Sequence, residues 1–526
     1  MTERPRRTRL LLAAGLAGAG TMAVELAAVR LIAPWFGTSQ TVWTQVIGVI
    51  LGGLSLGYVL GGRWAARPAA EARMALLLGA AALWTAALPA IVAPVAGAFV
   101  PEGLSLEEAF GVLRWGSLAS ALLLFLVPAV LFGTIAPQVV EALAETGLDA
   151  GRAGGWVLAV GTLGSLAGVW GTAEVLIPVG GLAWTFRTAA GLLAGGALVL
   201  AVAARRRRAA LPALAAVPLA LFVVAPTAAL ADGWTLIAAR TSPYQDVRIV
   251  EAPENLGGFR NLVVNESHDS YQSVWFPEAG WLPAGYYYND VALPWFWSGE
   301  PERWRVLILG LGGGTAVRVL EGVVPADVDL EVFGIELDPV VVELAQQHLD
   351  LELPPERLVA GRDARAALRQ LGGGWDLIYL DCYANQIEIP THLATLEFFR
   401  ELEARLAPGG WVAANVGGFS LDDPIVTAIA ATLATAFDDD VAVLGVPRAR
   451  NWSLFARESG ELPVAVGADH VTQVPAGAAV VLGPRELPGM ARRVGADGGQ
   501  LLTDQHAPTE RLQERSLARA SRDGAL

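Results

Sequence analysis

The chain has 526 residues, of which 54% are hydrophobic, with a mean hydropathy of +0.46 and a formal net charge of −14. It is therefore too long for one typical domain and too apolar for a wholly soluble protein. It contains no lysine, one cysteine (Cys382) and five scattered histidines. These counts exclude a lysine Schiff base and a disulfide framework, and without the spacing of a zinc site we expect no metal.

Charge divides the chain into two parts. The first 230 residues carry ten acidic residues and fifteen arginines, whereas the remainder carries 41 acidic residues and 22 arginines. An acidic second part does not suit nucleic acid, but it suits a cationic substrate.

The first part, residues 1–232, contains seven apolar stretches, each long enough to cross the roughly 30 Å hydrocarbon core of a membrane. This pattern predicts an α-helical multi-pass bundle in the lipid bilayer of the cell membrane. The stretches lie near residues 9–34, 42–62, 73–99, 112–136, 154–178, 181–204 and 210–231.

Arginines around these stretches predict a cytoplasmic N-terminus, because positively charged loops stay inside. A seventh crossing then places the following domain outside the cell. Residues 210–231 contain three prolines, however, and a stretch that fails to cross leaves the domain inside, so the sequence leaves its side open. Glu25 lies within the first stretch, where a carboxylate is costly, and indicates either a buried structural pair or a role in transport. The arginines are Arg4, Arg6, Arg7, Arg9, Arg63, Arg67, Arg73 and Arg205 to Arg208.

The second part contains three segments. Residues 233–300 have short β-like runs between turn-rich pieces and predict a small antiparallel β subdomain. Residues 301–456 alternate strand-like and helix-like runs, which is typical of a doubly wound, parallel α/β sheet of the Rossmann-like, methyltransferase type. Residues 457–526 form a C-terminal extension.

A glycine cluster at residues 310–314 follows the first apolar run of this α/β domain, and Glu336 ends the next run. Glycines at this turn let backbone N–H groups approach a ligand, and the acid accepts ribose hydroxyls. The order G-x-G-G-G-T-A lacks the spacing of a dinucleotide site and predicts a methionine-bearing nucleoside. A tight turn with a solvated acid is the structural alternative. The candidate nucleoside-binding glycines are Gly310, Gly312 and Gly314.

Two further acids, Asp363 and Asp381, follow later strand-like runs. Ligands lie at the carboxyl ends of strands in such sheets, so we expect both acids to converge with Glu336 and the glycine cluster. The structural alternatives are a helix N-cap for Asp363 and a strand-end cap for Asp381.

Several motifs follow the order of a known family. Residues 240–456 resemble the spermidine synthase family of polyamine aminopropyltransferases, and the N-terminal half is similar to the spans of its membrane-fused members. The resemblance implies aminopropyl transfer from decarboxylated S-adenosylmethionine, a co-substrate and not a permanently bound cofactor, to putrescine, giving spermidine and methylthioadenosine. It also implies a homodimer. The motifs are GLSLGYVLGGRWAARP (53–68), SPYQD (242–246), YYND (287–290), GIELD (334–338), GRDAR (361–365), DLIYLDCY (376–383), EFFRELEARLAPGGW (397–411) and LTDQHAPTE (502–510).

The resemblance also assigns the nucleoside side of the site. Gln245 and Glu336 hold the ribose, and Asp363 with Ala364 flanks the adenine. Pro390 shapes the loop over the thioether.

On the amine side, the resemblance makes Asp381 the general base and places Tyr288 and Asp290 at the border of the amine site. Asn289 stands at the usual histidine of that motif. Gly313 stands where the family has an aspartate for the ammonium of the aminopropyl group.

A second family aspartate, three residues beyond the base, is replaced by Ala384, and Glu388, Asp290 or Asp269 are the candidates to substitute for the lost acids. Two other functions therefore stay open. One is an S-adenosylmethionine-dependent methyltransferase. The other is a non-catalytic nucleoside- or polyamine-binding domain that regulates transport through the spans, with Glu25 as the coupling residue.

Overall fold

The computed structural model describes residues 3–36, 40–99, 106–222, 230, 232–264, 271–278, 280–383, 389–438, 440–447, 449–459, 462 and 491–522.

The N-terminal half is a bundle of helices, with a π-helical turn, Gly171–Leu176, between the sixth and the seventh. The helices are α1 Glu3–Phe36, α2 Gln40–Ala65, α3 Ala70–Gly97, α4 Leu106–Gly133, α5 Ile135–Ala144, α6 Ala150–Trp170, α7 Ile177–Ala203 and α8 Leu211–Phe222.

Five stretches of the described helices are long and apolar enough to cross a membrane, which is compatible with a multi-pass membrane protein. The sequence predicts seven spans, and the two counts differ in part because the predicted spans 154–178 and 181–204 belong to one continuous helical stretch, Ala150–Ala203. This stretch is broken at Gly181, which has a φ of 66°. The last predicted span begins as the 12-residue helix α8, and its residues 223–229 and 231 lie outside the described part.

Small residues bring α1 and α6 into direct backbone contact. A Cβ atom at Gly164 would lie 2.1 Å from the carbonyl oxygen of Gly15, and one at Gly168 would lie 2.4 Å from that of Ala19. Residue numbers rise together in these contacts, so α1 and α6 run in the same direction. Close backbone approach of this kind is how helices associate where lipid supplies no hydrophobic driving force.

Helix α7 packs on α1 in the opposite direction. A Cβ atom at Gly20 would meet the side chain of Leu193, and one at Gly196 lies near Leu16. Helices α6 and α7 are therefore the two arms of a hairpin, and Gly181 lies at its tip.

The predicted small antiparallel sheet is present after residue 232. Its strands follow chain order and pair antiparallel throughout. They are β1 Thr235–Thr241, β2 Asp246–Glu251, β3 Arg260–Val264 and β4 Tyr271–Trp275.

The second sheet has eight strands in the order β12-β10-β11-β9-β8-β5-β6-β7. Strands β5 to β9 are parallel, and β10, β11 and β12 pair antiparallel with their neighbours. The order reverses between β5 and β8, which is the switch point where such sheets bind ligands. The strands are β5 Arg303–Leu309, β6 Asp329–Glu336, β7 Leu358–Ala360, β8 Trp375–Leu380, β9 Leu406–Gly417, β10 Val441–Gly445, β11 Asn451–Arg457 and β12 Ala491–Val494.

Helices cover both faces of this sheet, so the predicted fold class is confirmed: a helical bundle, a small β-sheet and a doubly wound Rossmann-like domain. One face packs against α10, α11 and the small sheet, and the other packs against α12, α13 and α14. The helices are α9 Leu293–Trp297, α10 Thr315–Val323, α11 Pro339–His348, α12 Ala364–Leu368, α13 Leu396–Glu403, α14 Pro424–Phe437 and α15 Thr509–Arg522.

Part of the predicted C-terminal extension is integrated into this domain. Strand β12 pairs with β10, and α15 packs on α14. Asp504 also accepts hydrogen bonds from Arg365 at 2.7 and 2.9 Å. These contacts tie residues 491–522 to the α/β domain, while the domain boundaries themselves stay predictions.

We expect Gly164→Ala to lower the stability of the bundle by about 1–3 kcal/mol, because the added methyl group overlaps the backbone of α1. The matched control is Gly161→Ala on the same helix, where a Cβ atom has no neighbour within 4 Å. Thermal unfolding of the two purified variants measures the difference. Equal melting temperatures would contradict the close contact between α1 and α6.

Candidate active site

A cavity of about 300 Å³ lies at the carboxyl ends of β5, β6 and β8 and is closed on one side by the small sheet. Most of the predicted site residues line it, from both the nucleoside and the amine groups. The predicted residues in the lining are Gln245, Tyr288, Gly310, Gly312, Glu336, Asp363, Ala364, Asp381 and Pro390.

The glycine loop begins where the tips of β5 and β8 meet. Gly310 has a φ of 84°, and a Cβ atom there would lie 2.3 Å from the carbonyl oxygen of Asp381. Only glycine satisfies both the positive φ and the close approach. Gly314, also in the left-handed region with a φ of 82°, precedes α10 and lies outside the cavity lining.

Glu336 lies at the tip of β6 and faces the glycine loop. Its two carboxylate oxygens accept the N–H groups of Gly312 at 2.9 Å and Asp338 at 3.0 Å. Burial raises the pKa of Glu336, and these hydrogen bonds oppose that rise. The acid is thus fixed against the loop, with lone pairs left for a ligand hydroxyl.

Asp363 has two partners, one structural and one in the cavity. Its Oδ1 accepts the N–H of Ala366 at 3.0 Å, which makes it the N-cap of α12, while its Oδ2 lies 2.7 Å from Nε2 of His392. Burial acts to raise the pKa of Asp363, but these hydrogen bonds outweigh it and the pKa is lowered. Asp363 is therefore a helix cap and a cavity acid at once.

Asp381 lies at the tip of β8, in the middle of the cavity. Its Oδ1 accepts the side-chain N–H of Asn415 at 2.9 Å, and Tyr287 also hydrogen-bonds to it. The Oδ1 of Asn415 in turn accepts from Asn451 at 2.9 Å, which fixes the orientation of the amide. Burial raises the pKa of Asp381 to about 7, against the opposing effect of Asn415 and Tyr287. Such a carboxyl group exchanges its proton at neutral pH.

Tyrosine side chains line the cavity together with Asp381. Tyr287, Tyr288 and Tyr383 line the cavity, and the hydroxyl of Tyr288 donates to the carbonyl oxygen of Gln272 at 2.7 Å. Burial raises the pKa of Tyr287 and Tyr383, so both stay neutral. Their hydroxyl groups and ring faces supply an uncharged but polar wall to the cavity.

Three predicted amine-site residues lie outside the cavity lining. The amide of Asn289 bonds both backbone groups of Leu282, at 2.9 and 3.0 Å. Asp290 is buried and accepts from Ser453 at 2.6 Å. At Gly313, a Cβ atom would lie 2.7 Å from Leu349 and 2.8 Å from Ser273, so neighbouring side chains occupy the space that an aspartate needs.

Ala384, and the candidate substitutes Glu388 and Asp269, lie outside the described residues. Among the described lining residues, the acids are Glu336, Asp363 and Asp381.

Gln245 belongs to a turn that begins at Ser242. The hydroxyl of Ser242 accepts the N–H groups of Tyr244 and Gln245, both at 3.0 Å, and donates to Asp338 at 2.6 Å. Gln245 also hydrogen-bonds to Asp338, the N-cap of α11. The turn is thereby fixed to Asp338, two residues beyond Glu336.

Sequence reasoning missed the residues that hold Asp381 and Asp363 in place. Asn415 follows an apolar run of β9, so the strand-end rule that found the acids would have found it. His392, whose Nε2 bonds Asp363, also lines the cavity. Tyr287 carries no distinguishing signal within a run of three tyrosines.

No family model matches the chain. A protein of Bifidobacterium longum named "probable polyamine aminopropyl transferase" is 30% identical over 191 residues, covering 36% of this chain and 41% of that protein. A polyamine aminopropyltransferase of Vibrio vulnificus is 28% identical over 192 residues, covering 34% of this chain and 59% of that protein. The soluble part of the chain is thus similar in sequence to proteins named as polyamine aminopropyltransferases. The chain spans only about half the length of these relatives.

Solved structures of the spermidine synthase family resemble the chain as well. A probable spermidine synthase from Corynebacterium glutamicum is 22% identical with a TM-score of 0.39, covering 53% of this chain and 97% of that one. Spermidine synthase from Thermotoga maritima is 19% identical with a TM-score of 0.33, covering 43% and 74%.

We expect a carboxyl titration of the full-length protein to give Asp381 a pKa of about 7. Asn415→Leu should raise that pKa, because its hydrogen bond stabilises the carboxylate form. Asn289→Leu, which removes an amide bonded only to backbone in the described contacts, should leave it unchanged. Infrared titration measures the carboxyl band, which Asp381→Asn assigns by abolishing it. A pKa near the ordinary value of 3.8 would contradict the burial of this acid.

Proposed function

We propose that the soluble domain is an aminopropyltransferase that uses decarboxylated S-adenosylmethionine and an amine, with putrescine as the first acceptor to test. The products are spermidine and methylthioadenosine. The supporting observation is Asp381, a buried acid with a pKa of about 7 in a cavity that Glu336 and three tyrosines also line.

In this reaction the lone pair of a neutral amine attacks the carbon next to the sulfonium. A C–N bond forms, the C–S bond breaks, and its electron pair neutralises the sulfur of departing methylthioadenosine. The new ammonium then loses a proton, which Asp381 accepts. Because the sulfonium is already a good leaving group, positioning and a negative electrostatic field account for most of the expected acceleration.

The nucleoside side of the cavity suits this donor. Glu336, next to the glycine loop, accepts the ribose hydroxyls, and Gln245 lies beside it. Asp363 and Ala364, at the start of α12, flank the adenine. Both acids carry negative charge toward a cationic donor.

The proposed amine side of the cavity has fewer carboxylate side chains than the motif of the spermidine synthase family would place there. Leu349 and Ser273 fill the space beside Gly313, and tyrosines line the cavity with the base. The far ammonium of a diamine therefore meets ring faces and hydroxyl oxygens instead of an acid at residue 313, and such neutral acceptors bind an ammonium less tightly than a carboxylate does. We also propose a homodimer, on the family resemblance alone.

The same observation at Gly313 favours one alternative. A site without the acid for the aminopropyl ammonium suits ordinary S-adenosylmethionine, and the domain would then be a methyltransferase.

We expect Asp381→Asn to lower the turnover number about 10²–10⁴-fold and to change methylthioadenosine affinity little, because the amide cannot accept the proton. The matched control is Asp376→Asn, at the other end of β8, where the acid bonds the N–H of Arg305 at 2.8 Å. Its turnover should stay near that of the unchanged protein.

Mass spectrometry of products measures this with full-length protein, putrescine and either nucleoside. Spermidine with methylthioadenosine supports the proposal. A methylated amine with S-adenosylhomocysteine supports the methyltransferase. Nucleoside binding with no product supports the non-catalytic domain, and full turnover by Asp381→Asn contradicts its role as base.

A further inference from the structure

Helix α1 of the membrane bundle contacts the turn that carries Gln245. The guanidinium of Arg30 donates to the carbonyl oxygen of Ser242 at 3.1 Å and also to that of Pro243. These are consecutive carbonyl groups at the start of the turn. Arg30 thus fixes the backbone of the turn from the membrane side.

The opposite side of the same turn is fixed by the nucleoside-binding domain. Asp338, two residues beyond Glu336, accepts the hydroxyl of Ser242 at 2.6 Å and caps α11. Asp338 and Asp246 both lie close enough to interact electrostatically with Arg30. The turn therefore lies between Arg30 on α1 and Asp338, which follows Glu336 at the end of β6.

We propose that Arg30 is a positioning residue for the nucleoside site: it holds the turn so that Gln245 faces the ribose beside Glu336. The inference rests on the proposed function for the identity of the ligand. It implies that the bundle is part of the binding site's support and that the orientation of α1 sets nucleoside affinity.

The test uses full-length protein in lipid nanodiscs, with hydrogen exchange of residues 241–246 and methylthioadenosine affinity as readouts. Arg30→Gln should increase exchange in the turn and weaken affinity about tenfold, with an unchanged turnover number at saturating nucleoside. Arg30→Lys, which keeps one charged donor, should restore part of both. The control is Arg240→Gln, an exposed arginine of β1 paired with Glu343 at 3.5 Å, whose loss should change neither.

Unchanged exchange in Arg30→Gln, or increased exchange with unchanged affinity, overturns the role of Arg30. If the unchanged protein binds no methylthioadenosine, the proposed function fails as well, and the exchange measurement still reports whether Arg30 orders the turn. The two failures are therefore distinguishable.

A different observation concerns the two ends of the bundle. At one end, Arg6 near the start of α1 bonds Glu71 of α3 and Glu145 after α5, both at 2.8 Å. The start of α8 reaches the same end, where Ala213 packs against Gly79 of α3. Twelve of the fifteen arginines in the first 230 residues belong to helix ends and loops here: Arg4, Arg6, Arg7, Arg9, Arg63, Arg67, Arg73, Arg152 and Arg205 to Arg208.

The soluble domain contacts the other end. Besides the contacts of Arg30, Glu510 of α15 accepts the N–H and the hydroxyl of Thr41, at the start of α2, at 3.1 and 3.2 Å. Thr241 packs against Gly181, the tip of the hairpin formed by α6 and α7. The chain enters α8 at the arginine-rich end and begins β1 at this end.

We infer that the soluble domain lies on the extracytoplasmic side of the membrane. Short arginine-rich loops stay in the cytoplasm, whereas a long domain crosses largely regardless of its own charge. The nucleoside and amine must then reach the cavity from outside, so a transport step or an extracytoplasmic reaction has to supply the sulfonium donor.

Cysteine labelling tests this without reference to activity, because the chain has only one native cysteine. In a Cys382→Ser background, a membrane-impermeant maleimide should label Glu356→Cys, on an exposed loop of the soluble domain, in right-side-out vesicles. It should label Ala66→Cys, on the arginine-rich end, only in inside-out vesicles. Any other pattern overturns the inference, and the labelling is unaffected by whether the domain transfers an aminopropyl group.

Discussion

The close approach of Gly310 to the backbone of Asp381 is the constraint on which the site depends. A Cβ atom at residue 310 would lie 2.3 Å from a carbonyl oxygen at the tip of β8, so β5 and β8 can end side by side only with glycine there. With β6 on the other flank of β5, the loop lies between Glu336 and Asp381. The proposed nucleoside and the proposed acceptor would then occupy opposite halves of the cavity.

Much of this arrangement was predictable from the sequence, because the apolar run that marks a strand and the residue that ends it can both be recognised from a short stretch of sequence. Alternating apolar runs predict a parallel sheet, and parallel strands bring their carboxyl ends to one edge, so Glu336, Asp363 and Asp381 were expected to converge. The order of the strands was not predictable, because pairing between distant segments leaves no local pattern. Asp363 is a helix cap, as one of its two interpretations predicts, and it also lines the cavity, while its role toward a ligand stays a prediction.

The hydrogen bonds that support Asp381 depend on the same sheet order. The end of β9 marks Asn415 as a candidate, but its bond to Asp381, and the bond of Asn451 to Asn415, join neighbouring strands that only the sheet order identifies. Asn289 was expected in the amine site, but its amide bonds the backbone of Leu282. Tyr287, two residues earlier, reaches Asp381 instead. In this short helical turn the side chains of residues 287 and 288 line the cavity, whereas Asn289 and Asp290 lie outside the lining.

Burial of Asp381 has a consequence for the order of the proposed reaction. In the empty cavity its pKa is about 7, because desolvation disfavours the carboxylate. A sulfonium cation bound nearby favours the charged form and lowers this pKa, so donor binding itself removes the proton from the base. The acceptor then meets an ionised carboxylate, which attracts its ammonium and can take its proton. On this argument a single acid serves a site with two cationic substrates, provided that the donor binds first.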